Sequence, residues 1–246
     1  MHLTRYKITV QFDGSAFYGW QLQQSDRTVQ FSLEKALIKI TGSEHRIPVH
    51  GAGRTDRGVH AIGQVAHFDL DTQLTEKKLC DALNGNLPPD CQVLAVEKTT
   101  SDFEARFQAV KRWYRYQCYS GDSLLYRNQA WMVKDLDIDK LNGMARLILG
   151  EHDFLSYSKY RKNINNTKSM IYHSQWKADG EMVNFLIAGN RFLHHMVRYL
   201  VGTMVETAVG YFEFDNFVHL LQNPRKNVNI HRAPACGLIL NRIDYE

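Results

Sequence analysis

The sequence contains no apolar run close to the roughly 18 residues that a membrane-spanning helix needs. Its opening, MHLTRYKITV, moves straight into alternating polar and apolar residues without the apolar stretch of a signal peptide. The cytosol is therefore the expected compartment. Cysteine is scarce: Cys80, Cys91, Cys118 and Cys236 lie far apart with no C-x-x-C pair. That spacing argues against a zinc knuckle and against the disulfide framework of a small secreted domain. No G-x-x-x-x-G-K-[ST] motif is present, which removes P-loop nucleotide chemistry. Neither sign of charge dominates, with 30 Lys and Arg against 26 Asp and Glu and a net charge of +4. Such a balance permits a polyanionic partner without demanding one. What is present, 44% hydrophobic and 23% charged residues, is the composition of a folded globular chain.

Periodicity divides the chain into two comparable sets of elements. In YKITVQFDG, Ile8, Val10 and Phe12 alternate with polar residues as in a half-buried strand. Thr28 then suits an N-cap for a helix carrying Val29, Leu33, Ala36, Leu37 and Ile40, with Gly42 as its stop. Ile47 and Val49 suggest a short strand, and Ala66, Phe68 and Leu70 another. Thr75 can cap a helix with Leu79, Ala82 and Leu83, which Gly85 should end. The second set begins with the aromatic strand RWYRYQCYS and a helix from about Asp137 to Gly150. Two strand-like runs follow, MIYHSQWKA and MVNFLIAG. FLHHMVRYLVGTMVETAVG predicts the longest helix, and a short helix and a closing strand in GLILNRIDY complete the set. Each set fits a split β-α-β unit, so an α/β (α+β) fold with two ferredoxin-like halves is expected, divided near residue 105 into 1–105 and 106–246. The polar, basic segment 157–168 is expected to be a loop.

Between two strands of the first half lies GAGRTDRGVHA, residues 51–61. Gly51 and Gly53 start a dinucleotide-type glycine pattern, but Asp56 stands where its third glycine belongs and would repel a pyrophosphate. Two readings of Asp56 remain. It can be a turn residue holding backbone N–H groups or pairing with Arg54 or Arg57. Alternatively, nearby guanidinium groups can keep it ionised even when partly buried, making it a usable nucleophile or base. His50, His60 and His67 are near in sequence, but they form no H-x-x-x-H pair and have no cysteine partner, so structural histidines are the better reading.

Further on, KRWYRYQCY interleaves Lys111, Arg112 and Arg115 with Trp113, Tyr114, Tyr116 and Tyr119, a pattern able to stack bases and neutralise phosphates. Strand aromatics are more often core, yet alternation puts polar groups on at least one face, and Tyr114 is the candidate for a cleft. In the long predicted helix, His194 and His195 precede Arg198 at helical spacing, giving a cationic stripe that is either solvated or turned toward an anion.

Taken in order, YKITVQFDGSAFYGWQLQ with TVQFSLEKAL, GAGRTDRGVHA, NLPPD, DFEARFQAVKRWYRY, GNRFLHHMVRYLVG and APACGLIL resemble the TruA family of tRNA pseudouridine synthases nearly end to end. The resemblance implies the pseudouridine synthase fold, two ferredoxin- or RRM-like halves with mostly antiparallel sheets meeting at a basic active-site cleft. It implies an isomerase without cofactor or metal that acts on uridines at positions 38, 39 and 40 of the tRNA anticodon stem-loop, and a homodimer. Carried over residue by residue, Asp56 is the essential catalytic residue, Tyr114 stacks on the base and Arg198 pairs with the aspartate. Arg54 helps expel or replace the flipped base, and Leu238 is an apolar floor under the uracil. Arg57 departs from the family, which commonly has alanine there; with Lys111 and Arg112 it is a candidate substrate contact. Lys159, Arg161, Lys162, Arg225, Lys226 and Arg232 are candidate phosphate contacts. The rival reading, a non-catalytic RNA-binding module with paired RRM-like sheets, lacks an RNP1-type motif and gives Asp56 no purpose.

Overall fold

The alternation at the start of the chain becomes strand β1, Thr4–Phe12, which buries Tyr6, Ile8, Val10 and Phe12. A strand with that pattern packs one face on a core and leaves the other half-covered. The computed structural model describes residues 3–24, 26–160, 162 and 166–246. Its backbone contacts separate residues 1–110 with 240–246 from residues 111–239.

In the first unit, β1 is followed by α1 (Val29–Thr41), β2 (His50–Gly51), β3 (His60–Leu70), α2 (Glu76–Asn86) and β4 (Cys91–Thr99). β1 lies antiparallel between β4 and β3, and β2 pairs antiparallel with the other side of β3. The resulting spatial order 4-1-3-2 is that of the split β-α-β unit expected from the sequence. Both expected caps of α1 form. Thr28 Oγ1 accepts from Phe31 N, and Gly42, left-handed at φ +66, returns its N–H to Ile38 O.

Two expectations in this unit are corrected. α2 runs through Gly85 to Asn86, because Asn84 exchanges two hydrogen bonds with the backbone of Val93, at 2.9 and 2.8 Å, and pins the last turn to β4. The strand expected at Ile47 and Val49 pairs only at His50–Gly51. Val49 N is instead taken by Glu34, a carboxylate 3% exposed on the inward face of α1. Glu34 also accepts from Arg46 at 2.7 and 2.8 Å and from Gln30 at 3.0 Å. Four donors on one buried carboxylate offset its desolvation and tie α1 to the chain entering the glycine loop.

The second unit repeats the plan. Its elements are β5 (Lys111–Tyr119), β6 (Trp131–Met132), α3 (Ile138–Leu147), β7 (Gly150–Asp153), β8 (Lys168–Asp179), β9 (Met182–Gly189), α4 (Met196–Ala208) and α5 (Phe214–Gln222). β5 is antiparallel to β9, β9 to β8, and β8 to β7, while the short β6 runs parallel to β5. The first long strand again neighbours the third, and the third neighbours the second. A last strand, β10 (Leu238–Asp244), follows, and from Leu240 onward it packs with the first unit, where it neighbours β3. α4 is shorter at its N-terminus than the sequence predicts, and its 13 residues equal those of α1. It begins at Met196 because His195 is left-handed at φ +62. His194 and His195 therefore precede the helix and form no helical stripe with Arg198.

Glu34→Ala removes the acceptor of four donors and is expected to lower the unfolding free energy by about 2–4 kcal/mol in urea denaturation. A change below about 0.5 kcal/mol, the size of an ordinary surface substitution, would show that this network does not hold α1 in place.

Candidate active site

In the first unit the glycine loop is held from below by the segment DGSAFYGW, residues 13–20. Trp20 N donates to Thr55 O at 3.2 Å, Gly58 N to Phe17 O at 3.3 Å, and Gly14 N to the buried His60 Nδ1 at 3.0 Å. Val59 N closes a turn onto Asp56 O at 3.2 Å, with Gly58 left-handed at φ +78. Three glycines make this approach feasible. A Cβ at Gly14 would enter the Val59 carbonyl, one at Gly19 the Thr55 carbonyl, and one at Gly51 the Trp20 indole. Glycine is the residue that lets two backbones come this close. Gly53 differs, since a Cβ there would meet nothing within 4 Å. Gln64 Nε2 holds its carbonyl at 2.9 Å.

Asp56 is half-buried on this fixed backbone, and Arg54 and Arg57 on either side are exposed. The Arg57 guanidinium lies over the ring of Tyr18, 4.1 Å from its centroid, a cation–π contact that gives this unusual arginine a place. The three neighbouring histidines have structural positions. His60 accepts from Gly14 N, while His67 accepts from Ala105 N at 3.2 Å and stacks on His50 at 5.1 Å. Burial pushes the His67 imidazole below its ordinary range, which favours the neutral ring that this acceptor role requires.

The second unit carries the remaining candidates. On β5, Tyr116 and Cys118 are buried, and Tyr116 donates its hydroxyl to Pro234 O at 2.8 Å. Gly237 leaves room for the Tyr116 ring, which a Cβ would meet at 2.6 Å. Tyr114 shares that face but is half-exposed, and Phe192 supports it edge-on at 5.2 Å. Lys111 Nζ lies 5.1 Å from the Tyr172 ring centroid, and Arg112 donates to Asn190 O at 2.6 Å. Leu238 is buried at the start of β10.

Arg198, one turn into α4, is only 8% exposed, so it does not lie on a solvated face. Its Nε donates to Ala233 O at 2.8 Å, and Ala233 N returns a bond to Arg198 O at 3.0 Å. Gly202, four residues along the same face, lets the backbone of 231–233 lie against the helix, since a Cβ there would collide with His231 O. This passing segment therefore fixes the direction of the guanidinium. Sequence reading missed the roles of Phe192, Gly202, Gly14 and Gly19. The one available signal was the presence of Gly14 and Gly19 in FDGSAFYGW and of a single glycine, Gly202, inside the helical HMVRYLVG. Among the phosphate candidates, Lys159, Lys162, Arg225, Lys226 and Arg232 are exposed, and Arg161 lies outside the described residues.

The model of a family described as tRNA pseudouridine synthase matches residues 8–108 and 144–246. That match sets the class, an isomerase. Similar full-length proteins include tRNA pseudouridine synthase A of Bacillus licheniformis, 36% identical over 98% of this chain and 99% of the relative. The proteins of the same name from Bradyrhizobium diazoefficiens and Listeria monocytogenes are 37% and 38% identical, each over 99% of this chain and 100% of the relative. The chain belongs to the tRNA pseudouridine synthase family. A solved Cbf5-Nop10-Gar1 complex shows a weak likeness, with a TM-score of 0.39 and 11% identity over 95% of this chain and 57% of that one.

The loop geometry separates two glycines that look alike in the sequence. Gly19→Ala, forced into the Thr55 carbonyl at φ +85, is expected to speed amide hydrogen exchange across residues 54–59, while Gly53→Ala leaves it unchanged. Equal behaviour of the two variants in exchange mass spectrometry would contradict the contact.

Proposed function

We propose that the protein converts uridine to pseudouridine at positions 38, 39 and 40 of the tRNA anticodon stem-loop, with Asp56 acting on the ribose. The observation that carries this reading is a half-buried carboxylate on a backbone held by glycine-permitted contacts, in a chain of this family. The reaction breaks the N1–C1′ bond, turns the base and forms C5–C1′. The hydrogen leaves C5 and N1 gains a proton, so no oxidant or reductant enters. Asp56 can serve either route to bond cleavage, by attacking C1′ or by removing a proton from C2′.

The other residues take roles that follow from their chemistry. A base paired in a stem must be extruded, at a cost of a few kcal/mol, and stacking on Tyr114 returns part of it. Arg198 is the cation that keeps Asp56 ionised and offsets charge on the departing uracil. Arg54 takes the place of the displaced base, and Leu238 is the apolar floor under the uracil. Lys111, Arg112 and Arg57 meet the RNA backbone with their positive charge. We also propose a cytosolic homodimer, whose two copies at net charge +4 each offer tRNA a larger positive surface.

Incubation with tRNA tritiated at uridine C5 tests the assignment. The wild type is expected to release label and Asp56→Asn to bind tRNA without release; binding without release by both proteins would leave only an RNA-binding module. Arg198→Ala is expected to slow single-turnover isomerisation about 10²–10³-fold with little change in tRNA affinity. Parallel loss of rate and affinity would make Arg198 a phosphate contact.

A further inference from the structure

The loop after α5, the helix itself and Phe212 before it border an open groove of about 440 Å³ within the second unit, and none of the residues assigned to the chemistry lines it. Its size is in the range of small-molecule and cofactor sites. Besides His219, three kinds of group line it. Arg225 and Lys226 bring positive charge, and no carboxylate is found among the described lining residues. The carboxamides of Asn216, Asn227 and Asn229 bring paired donors and acceptors. Phe212, Leu220 and Val228 supply apolar surface.

The loop is built rather than merely exposed. Arg225 N donates to the Oγ of Ser156, itself buried, at 2.9 Å. Lys226 Nζ reaches the Tyr160 hydroxyl at 3.3 Å and lies 4.4 Å from the centroid of its ring. Between them and Asn229 the backbone turns left-handed at Asn227, φ +56, a conformation asparagine adopts more readily than most residues. Tyr211, next to Phe212 in sequence, is 82% exposed and offers a further stacking face.

This combination matches one ligand chemistry. Cations without a competing acid suit a phosphate, carboxamides suit the edge of a base, and an apolar wall suits its face. An acidic peptide would use the cations and leave the other two kinds of group without a role. We propose that the groove binds one nucleotide of the tRNA strand, apart from the uridine being isomerised, with its phosphate on Arg225 and Lys226 and its base against Phe212 and Leu220. The inference rests on the proposed tRNA substrate and adds a second point of grip to it.

The test is the salt dependence of tRNA affinity for the full-length wild type and Arg225→Ala/Lys226→Ala. The double variant is expected to flatten the slope of log affinity against log salt by about one per cation removed and to weaken binding about tenfold. Arg225→Lys/Lys226→Arg should keep the wild-type slope. Lys77→Ala/Lys78→Ala, which removes the same charge from exposed positions on α2, should change it less. Asn216→Ala/Asn229→Ala should weaken binding without altering the slope. An unchanged slope in Arg225→Ala/Lys226→Ala, or an equal change in the α2 variant, overturns the proposal. So does a groove that takes up uridine monophosphate in titration while its substitutions leave tRNA affinity intact, since the ligand is then a free nucleotide. If the wild type makes no pseudouridine but the groove variants still lose tRNA affinity, the groove stands as an RNA site and the enzymatic reading falls.

Discussion

The close passage of residues 14–20 beneath the glycine loop is the constraint on which the proposed chemistry depends. A carboxylate in a glycine-rich stretch would ordinarily sample many positions, because glycine gives up more conformational freedom on folding than any other residue. Here the freedom is removed by contact. Gly14, Gly19 and Gly51 each sit where a Cβ would strike the opposing chain, and Thr55 and Gly58 are hydrogen-bonded to Trp20 and Phe17. Glu34 and Arg46 extend the restraint to the residues that lead into the loop. The glycines therefore produce rigidity rather than looseness, with Gly53 left open.

Arg198 in the second unit is held by the same device. Gly202 allows the irregular segment 231–233 to lie on α4, and the carbonyl of Ala233 takes the Arg198 Nε–H. A guanidinium aimed by a backbone carbonyl loses little further entropy when it engages an anion, which is the advantage of a preorganised cation in catalysis. Tyr114 is similarly prepared, standing at the open end of a row whose inner members, Tyr116 and Cys118, are buried, with Phe192 braced against its ring.

Much of the fold was legible because its local signals agree. Thr28 and Gly42 bound α1 as written, and the inward faces of β1 and α1 follow simple periodicity. The two sets of elements fold as two copies of one strand order. What escaped were features decided by tertiary contact. Gly85 reads as a stop, yet Asn84 carries α2 past it by bonding to Val93. The helical period of α1 does not single out Glu34, which is buried with four donors around it. His194 and His195 read as part of a helix, yet the left-handed turn at His195 places them before it, and period alone cannot reveal a positive φ. Arg57 reads only as a candidate substrate contact, and the Tyr18 ring beneath it is a tertiary contact that the sequence does not show. Motif resemblance marks the residues of the candidate site, whereas their rigidity depends on tertiary contacts that no motif carries.

The surrounding structure supplies the position of Asp56 and not merely its charge. The single-turnover rate of Asp56→Glu on tRNA tests it most directly, because glutamate keeps the carboxylate and shifts it by one methylene from a backbone that cannot yield. A fall of at least about 100-fold is expected, the scale for a reacting group displaced by about an ångström. A rate close to that of the wild type would contradict it and show that the loop adjusts to its substrate.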